Sequence, residues 1–445
     1  MKNSRFQTIF IGVLTAALVI AVLIFSGILP FGKKSANPVG VTGNLTMWGT
    51  VQRGYFSGLF EQLAKQNPGL KVSYVEKSAA TLDSELINAL ASGTGPDLIL
   101  LSQDLLMRYK DKLFVIPYDA YPQRQFTDTF IQEANLFATD EGLLGLPLFV
   151  DPMVMYYNRD SIESAGQVNP PRTWKEVADL VPKLTIRDNK GKVLRSITAF
   201  GDFDNIPHAK ELLSTLLLQT GNPLVVRTGN EFRSTLNVAP NGTQSLPAFD
   251  FFMSFAIQTD PLYSWNKTLP TPETMFLSGD MALYLGFASE LFTLRNKNPN
   301  LNYDVARMPQ IAVTGTQITY GKLYGIASLK SSKNLRAAYV VSTIIAGPEF
   351  TNTLANGLAL PPARRDLLLQ KPSNPYATIF YDSALMARGW QDPNPEETKA
   401  IFAKIIANRL SGRTQLSTGI VEAQDRLDQL LKPFKIIPTT GNGLK

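Results

Sequence analysis

The chain has 445 residues, 44% of them hydrophobic and 18% charged, a length and balance that suit about two globular domains and exclude a disordered chain. It holds no Cys and one His, which excludes disulfides, thiolate metal sites and Cys nucleophiles and leaves no material for a multi-His centre. Of the formal net charge of +6, four units come from Lys2, Arg5, Lys33 and Lys34; beyond residue 40 stand 39 basic and 37 acidic residues, too even for the clustered basic face of a nucleic-acid binder.

The amino-terminal residues Phe6 to Gly32 carry no charge, and Ile9 to Leu29 are almost wholly apolar. About 20 apolar residues span a bilayer core, whereas a cleavable signal has an apolar region of roughly 7–15 residues and a small-residue cleavage site. No convincing site of that kind precedes Lys33, so residues 1–35 are predicted to be a cytoplasmic stub and an uncleaved transmembrane anchor, with an uncleaved or cleaved signal as the alternative. Lys2 and Arg5 favour a cytoplasmic amino end, which places the rest of the chain outside, in a single-pass arrangement. Residues 36–43, small and Pro/Gly-containing, read as a linker.

Leu45 to Trp48 reads as a strand, 55–66 as a helix ending at Asn67-Pro68-Gly69, Leu70 to Val75 as a strand, Leu82 to Ala91 as a helix, and the apolar run Asp97 to Leu101 as a buried parallel strand. This alternation predicts an α/β unit. Helices are predicted over 174–184, 207–220, 246–259, 272–278, 334–345, from Pro348 to Gly357, and over 396–410 and 418–431. Residues 227–245 read as a loop or small hairpin, and Met281 to Leu285 and Leu323 to Ser328 as further strands. Asp188 to Lys192 (DNKGK) reads as a turn and Asp202 to Asn205 (DFDN) as a loop lacking the central Gly and distal Glu of a calcium site, so no metal is expected at either. His208, after Pro207, reads as a surface residue at a helix start.

The run Leu144 to Glu176 is the most specific segment. An apolar strand, Leu146 to Tyr157, is interrupted by Asp151-Pro152, and because Pro donates no ladder hydrogen bond Pro152 marks a break or an edge. Thr173 and Glu176 have the spacing of a capping box. The strand is expected to leave one packed unit at Asp151 and enter a second. This run also resembles the extracellular solute-binding proteins of ABC importers, in particular the maltose-binding-like group. The match rests on Gly145-Leu146-Pro147, Tyr156-Tyr157-Asn158-Arg159-Asp160, Ala165-Gly166, Pro170-Pro171 and Thr173-Trp174-Lys175-Glu176. Weaker matches stand in the family's order along the chain, at Gly93 to Asp97 before this run and at Phe276 to Leu283, Tyr324 to Ala338, and Gly357 to Pro361 with Arg364 after it.

The resemblance implies an α/β, two-lobe periplasmic-binding-protein-like fold with an interlobe hinge, preceded here by one N-terminal transmembrane helix. Lobe 1 would hold 44–150 and 301–358, and lobe 2 would hold 151–300 and 359–435, with 436–445 a tail. Val150, Asp151, Pro152, Leu360 and Pro361 would form the hinge. It also implies a receptor, not an enzyme, that closes on a small solute, a sugar or oligosaccharide, and hands it to an ABC permease, working as a monomer without cofactor, metal or nucleic acid. An anchored sensor or scaffold and, further off, a glycan-active enzyme are the rivals. The ligand-contact candidates are Trp48, Gly49, Thr50, Gln103, Asp151, Phe287, Glu290, Tyr324, Arg364 and Trp390. Aromatic faces would pack on sugar C–H surface while Asp, Glu and Arg bond hydroxyls.

Overall fold

Two parallel neighbours fix the first strand. β1 (Gly43–Gly49) pairs with β2 (Leu70–Glu76), Trp48 opposite Val75, and with β3 (Leu98–Ser102), Met47 opposite Leu98. The computed structural model describes residues 40–229, 231–370, 372 and 374–434. The predicted anchor, residues 36–39 of the linker and the tail lie outside the described residues. The described residues from Gly43 onward form one compact unit.

Between β1 and β2, α1 (Gly54–Gln66) turns Phe56, Leu59, Phe60 and Leu63 inward, the three-and-four spacing of one helical face. Phe56 stacks on Tyr74 of β2 at 4.3 Å. Next come α2 (Leu82–Ala91) and then β3, whose five residues, LILLS, are all buried.

The strand β4 (Leu146–Asn158) is the axis of the sheet. From Leu146 to Pro152 it pairs with β7 (Thr319–Ser328); from Met153 to Asn158 it pairs on its two sides with β5 (Leu283–Phe287) and β6 (Tyr303–Arg307). Of the break or edge expected at Pro152, the edge is what forms. The strand continues, and Pro152 stands at the last register position shared with β7, where β4 changes partners and a missing N–H does least harm. The second expected crossing runs alongside: Val150 N–H donates to Pro361 C=O at 3.0 Å and Ala363 N–H to Leu148 C=O at 2.9 Å.

β7 also has more than one neighbour. It pairs with β8 (Ala387–Arg388) at Thr319 and Tyr320, with β4 at Gly321 to Ile326, and antiparallel with β3 at Tyr324 to Ser328. Among the described residues the order is β2-β1-β3-β7-β4-β5, with β6 added on β4 and β8 on β7.

After β4 comes α3 (Trp174–Leu184), which carries the expected capping box of Thr173 and Glu176. Trp174 is buried, as expected, against Phe200 at 5.3 Å, and its indole N–H donates to Gln219 at 2.7 Å. α4 (Ala209–Gln219) follows, then a hairpin of Val225–Thr228 and Glu231–Ser234, which begins two residues before the segment read as a loop or small hairpin. The DNKGK turn forms as expected, Asp188 accepting the N–H groups of Lys190 and Lys192. The helices α5 (Leu335–Ile345), α6 (Pro348–Leu358), α7 (Pro395–Leu410) and α8 (Leu416–Leu431) match the expected spans to within a few residues. Leu291–Lys297 and Pro375–Met386 are helices that the periodicity did not mark. No helix among the described residues is long and apolar enough to cross a membrane.

Candidate functional site

Three features converge: the carboxyl ends of β3 and β5, the point where β4 changes partners, and the first turn of α4. At the end of β5, Gly286 lets the chain pass so close to Glu290 that a Cβ there would lie 2.0 Å from its Oε2. Glu290 Oε2 accepts the N–H of Phe287 at 3.0 Å and the hydroxyl of Tyr284 at 3.1 Å, and its Oε1 meets His208 Nε2 at 2.7 Å. In the same turn the N–H of Ser289 donates to Asp151 Oδ1 at 3.0 Å. Asp151 is buried, and that burial, only partly offset by the Ser289 hydrogen bond, pushes its carboxyl up to about 6.

On β7, Lys322 stands opposite Asp151 in register and shares a strand face with Tyr320 and Tyr324. Its Nζ lies 4.7 Å above the ring of Phe287 and 3.6 Å from Glu211 Oε1. Burial works against the His208 cation, but the hydrogen bond to Glu290 and the charges of Glu290 and Glu211 prevail and raise it above the usual histidine value. Lys210, next to Glu211, pairs with Asp392 at 2.8 Å, whose other oxygen accepts the Thr398 hydroxyl at 2.7 Å. Asp104, two residues past β3, accepts the hydroxyl of Ser102, and its charge is felt by Lys322, Lys210 and Tyr320.

The fold thus brings Asp151, Phe287 and Glu290 together, with Tyr324 on the same face of β7 as Lys322. Tyr324 stacks on Phe149 at 4.9 Å and is half-buried. Gln103 reaches this region but both ends of its amide are committed: it accepts the N–H of Leu323 at 2.6 Å and donates to Gly321 C=O at 3.0 Å, tying β3 to β7. Trp48, Gly49 and Thr50 form a separate lip at the end of β1. Lys77 Nζ lies 3.9 Å over the Trp48 ring and pairs with Glu85 at 2.5 Å. A Cβ at Gly49 would meet Tyr74 Oη at 2.6 Å, so glycine serves packing there.

Two further candidates are engaged by the protein itself. Arg364 donates to Ala346 C=O at 3.0 Å and to Asp366 at 3.0 and 2.9 Å, and so helps to fix the chain after Pro361 with three of its five N–H groups. Trp390 is buried, stacked on Phe402 at 6.5 Å, and belongs to the core. His208 is not the surface residue its position suggested; it is mostly buried in an ion pair with Glu290. Sequence reasoning also passed over Asp104, Glu211 and Lys322. A usable signal existed for two of them: Lys322 is a charge inside an apolar strand, as Asp151 is, and Glu211 precedes the run LLSTLLL. Among the described residues no group of three or more His, Asp or Glu is placed to hold a metal ion.

The site is therefore a pair of strand ends and a strand crossing lined by charged and aromatic side chains. It sits in a chain whose residues 49–349 match the family model for bacterial extracellular solute-binding proteins, and the chain belongs to that family. A binding protein of Brucella abortus (strain 2308) is 22% identical over 288 residues, 64% of this chain and 67% of that one. The sugar-binding protein MalE from Xanthomonas citri superposes with a TM-score of 0.70 at 18% identity, over 88% of this chain and 98% of that one. The GacH receptor of Streptomyces glaucescens, solved unliganded and with acarbose, gives a TM-score of 0.66 at 20% identity over 89% and 100%. The resemblance carried by the motifs is borne out, and with it the two-lobe α/β fold of these binding proteins.

Proposed function

We propose that the protein is a sugar receptor of an ABC importer, held at the outer face of a membrane by Ile9 to Leu29. The observation that carries this reading is the convergence of Asp151, Glu211, Glu290 and Lys322 on Phe287 beside the half-buried Tyr324, where β4 passes from one set of strands to the other. Carboxylates and an ammonium suit hydroxyls, and aromatic faces suit the C–H surface of a pyranose. The sugar-binding relatives support the same class of ligand.

The two lobes would close by rotation about three adjacent stretches: β4 near Val150 to Pro152, the segment Leu360 to Ala363, and β7 near Tyr320. The pairing of β6 with the Met153–Asn158 half of β4 supports counting residues 301–318 with the second lobe. The receptor binds without turnover, takes no cofactor and works as a monomer that docks on permease subunits. Thermal denaturation of the full chain in detergent, against sugars, amino acids, peptides and polyamines, tests the ligand class, because a ligand that binds only the native state raises the midpoint. A rise with sugars supports the reading. A rise confined to another class replaces the sugar, and no rise with any class favours an anchored sensor or scaffold.

A further inference from the structure

Two lysine–carboxylate pairs grow from the first turn of α4, and they are built differently. In the first, Lys210 Nζ bonds Asp392 Oδ2 at 2.8 Å and Pro395 C=O at 3.3 Å, and Thr398 closes the other carboxylate oxygen at 2.7 Å. The side chains are 5% and 2% exposed, so that pair is closed and structural. In the second, Lys322 Nζ and Glu211 Oε1 stand 3.6 Å apart, beyond hydrogen-bond length. Among the described residues no acceptor lies within hydrogen-bond distance of Lys322 Nζ, and the side chains remain 26% and 11% exposed. An ammonium and a carboxylate that attract each other without closing on each other keep donors and acceptors open to solvent, where a ligand's polar groups can take the place of water. The Phe287 ring lies beneath Lys322, and Tyr324 stands two residues along the same strand face.

Resting on the sugar-receptor reading, we propose that Lys322 and Glu211 form an open clamp that selects a neutral sugar by a pair of adjacent hydroxyls. One hydroxyl donates to Glu211 and its neighbour accepts from Lys322, so each charge gains the partner it lacks. The same arrangement disfavours acidic sugars. Around the clamp stand Asp104, Asp151, Glu211 and Glu290 against Lys322 and His208, with Lys210 and Asp392 cancelling each other. A uronate carboxylate entering this set meets an excess of negative charge at low dielectric.

The experiment is calorimetric titration of the full chain in detergent at pH 7.5 with glucose, maltotriose, glucosamine and glucuronate. The binding neutral sugar is then repeated on Lys322→Met, Glu211→Gln and the double variant, with circular dichroism melts to verify folding. The double variant matters because Lys322→Met alone leaves Glu211 unpaired and invites unfolding. The expected result is a neutral sugar bound at least about tenfold more tightly than glucuronate, weakened about tenfold or more by either single change and by the double change, as for hydrogen bonds to charged groups. Glu211→Gln should also narrow the gap to glucuronate. A folded double variant that binds the neutral sugar as the native chain does overturns the clamp while leaving the sugar reading intact. Preference for glucuronate also overturns the clamp. Binding of no sugar by the native chain overturns the sugar reading and the clamp with it.

Discussion

Asp151 and Ser289 lie 138 positions apart in the chain, yet the N–H of Ser289 donates to Asp151 Oδ1 at 3.0 Å. That bond joins the place where β4 changes partners to the turn that presents Phe287 and Glu290. It ties a candidate hinge to a candidate binding surface, and it places a carboxyl group where water cannot solvate its charge.

Asp151 therefore makes stability depend on pH in an unusual direction. Its folded value is raised from 3.8 to about 6, so the native state holds the proton more tightly than the unfolded chain does. Stability contributed by the neutral form is present at low pH and is lost as pH rises from about 4 through 6. Asp151→Asn keeps the acceptor for Ser289 and removes the titration. Melting curves from pH 4.5 to 7.5 should show the variant gaining on the native chain as pH rises, by about 2 kcal/mol over that range for a two-unit shift. A constant difference across that range would refute burial as the cause.

His208 works the other way. A histidine with a raised folded value stabilises the protein fully below about pH 6.5 and loses that contribution as pH rises through the folded value. The chain has one His, so its imidazole resonances titrate without overlap in NMR spectra. The midpoint should lie above 6.5 in the native protein. In Glu290→Gln it should fall, because burial then acts on the cation with its main partner gone. A midpoint unmoved by Glu290→Gln would contradict the assigned pair.

Gly286 and Gly58 make a contrasting pair of backbone tests. Ala at position 286 would place its Cβ 2.0 Å from Glu290 Oε2, so Gly286→Ala must displace that carboxylate or shift β5. A loss of about 1–3 kcal/mol in denaturant titrations is expected, as for overpacking. At Gly58, inside α1, nothing lies within 4 Å of the added carbon, and Gly58→Ala should stabilise by about 0.4–1 kcal/mol. Equal effects at the two positions would be inconsistent with the close approach at Gly286.

Trp390 and Trp48 separate core from lip. Trp390→Ala should cost about 3–5 kcal/mol, the loss typical of a large buried aromatic. Trp48, half-buried under Lys77, should tolerate Ala with a loss of about 1 kcal/mol or less. Chemical denaturation of both variants decides this. A large loss at Trp48 would make it a core residue and remove it from the ligand candidates.

Much of this arrangement was legible in the residues themselves. The alternation from Leu45 to Leu101, the capping box at Thr173 and Glu176, and the charge at Asp151 inside an apolar strand each have a local physical cause, so they read directly. Arg364 and Trp390 were candidates by type and position alone, because an arginine or a tryptophan near a crossing looks the same whether a ligand or the protein occupies it; here Asp366, two residues along, engages the first and Phe402 stacks on the second. For Lys322 and Glu211 the out-of-place charge was readable but its role was not, and for His208 neither was. Their meaning comes from partners 82 and 111 positions away, Glu290 for His208 and Lys322 for Glu211, and no local pattern encodes those contacts. Pro152 shows the edge half of its rule: proline forbids a ladder bond, and a strand that changes neighbours at that point has little to lose.

Small-angle X-ray scattering of the full chain in contrast-matched detergent, with and without a saturating sugar found by the melting panel, reads closure itself. A receptor that closes about the strands at Asp151 and Pro361 should become more compact with sugar, and Asp151→Asn should alter the sugar concentration needed. Binding of the sugar with no change in the scattering curve would contradict closure as the mode of action.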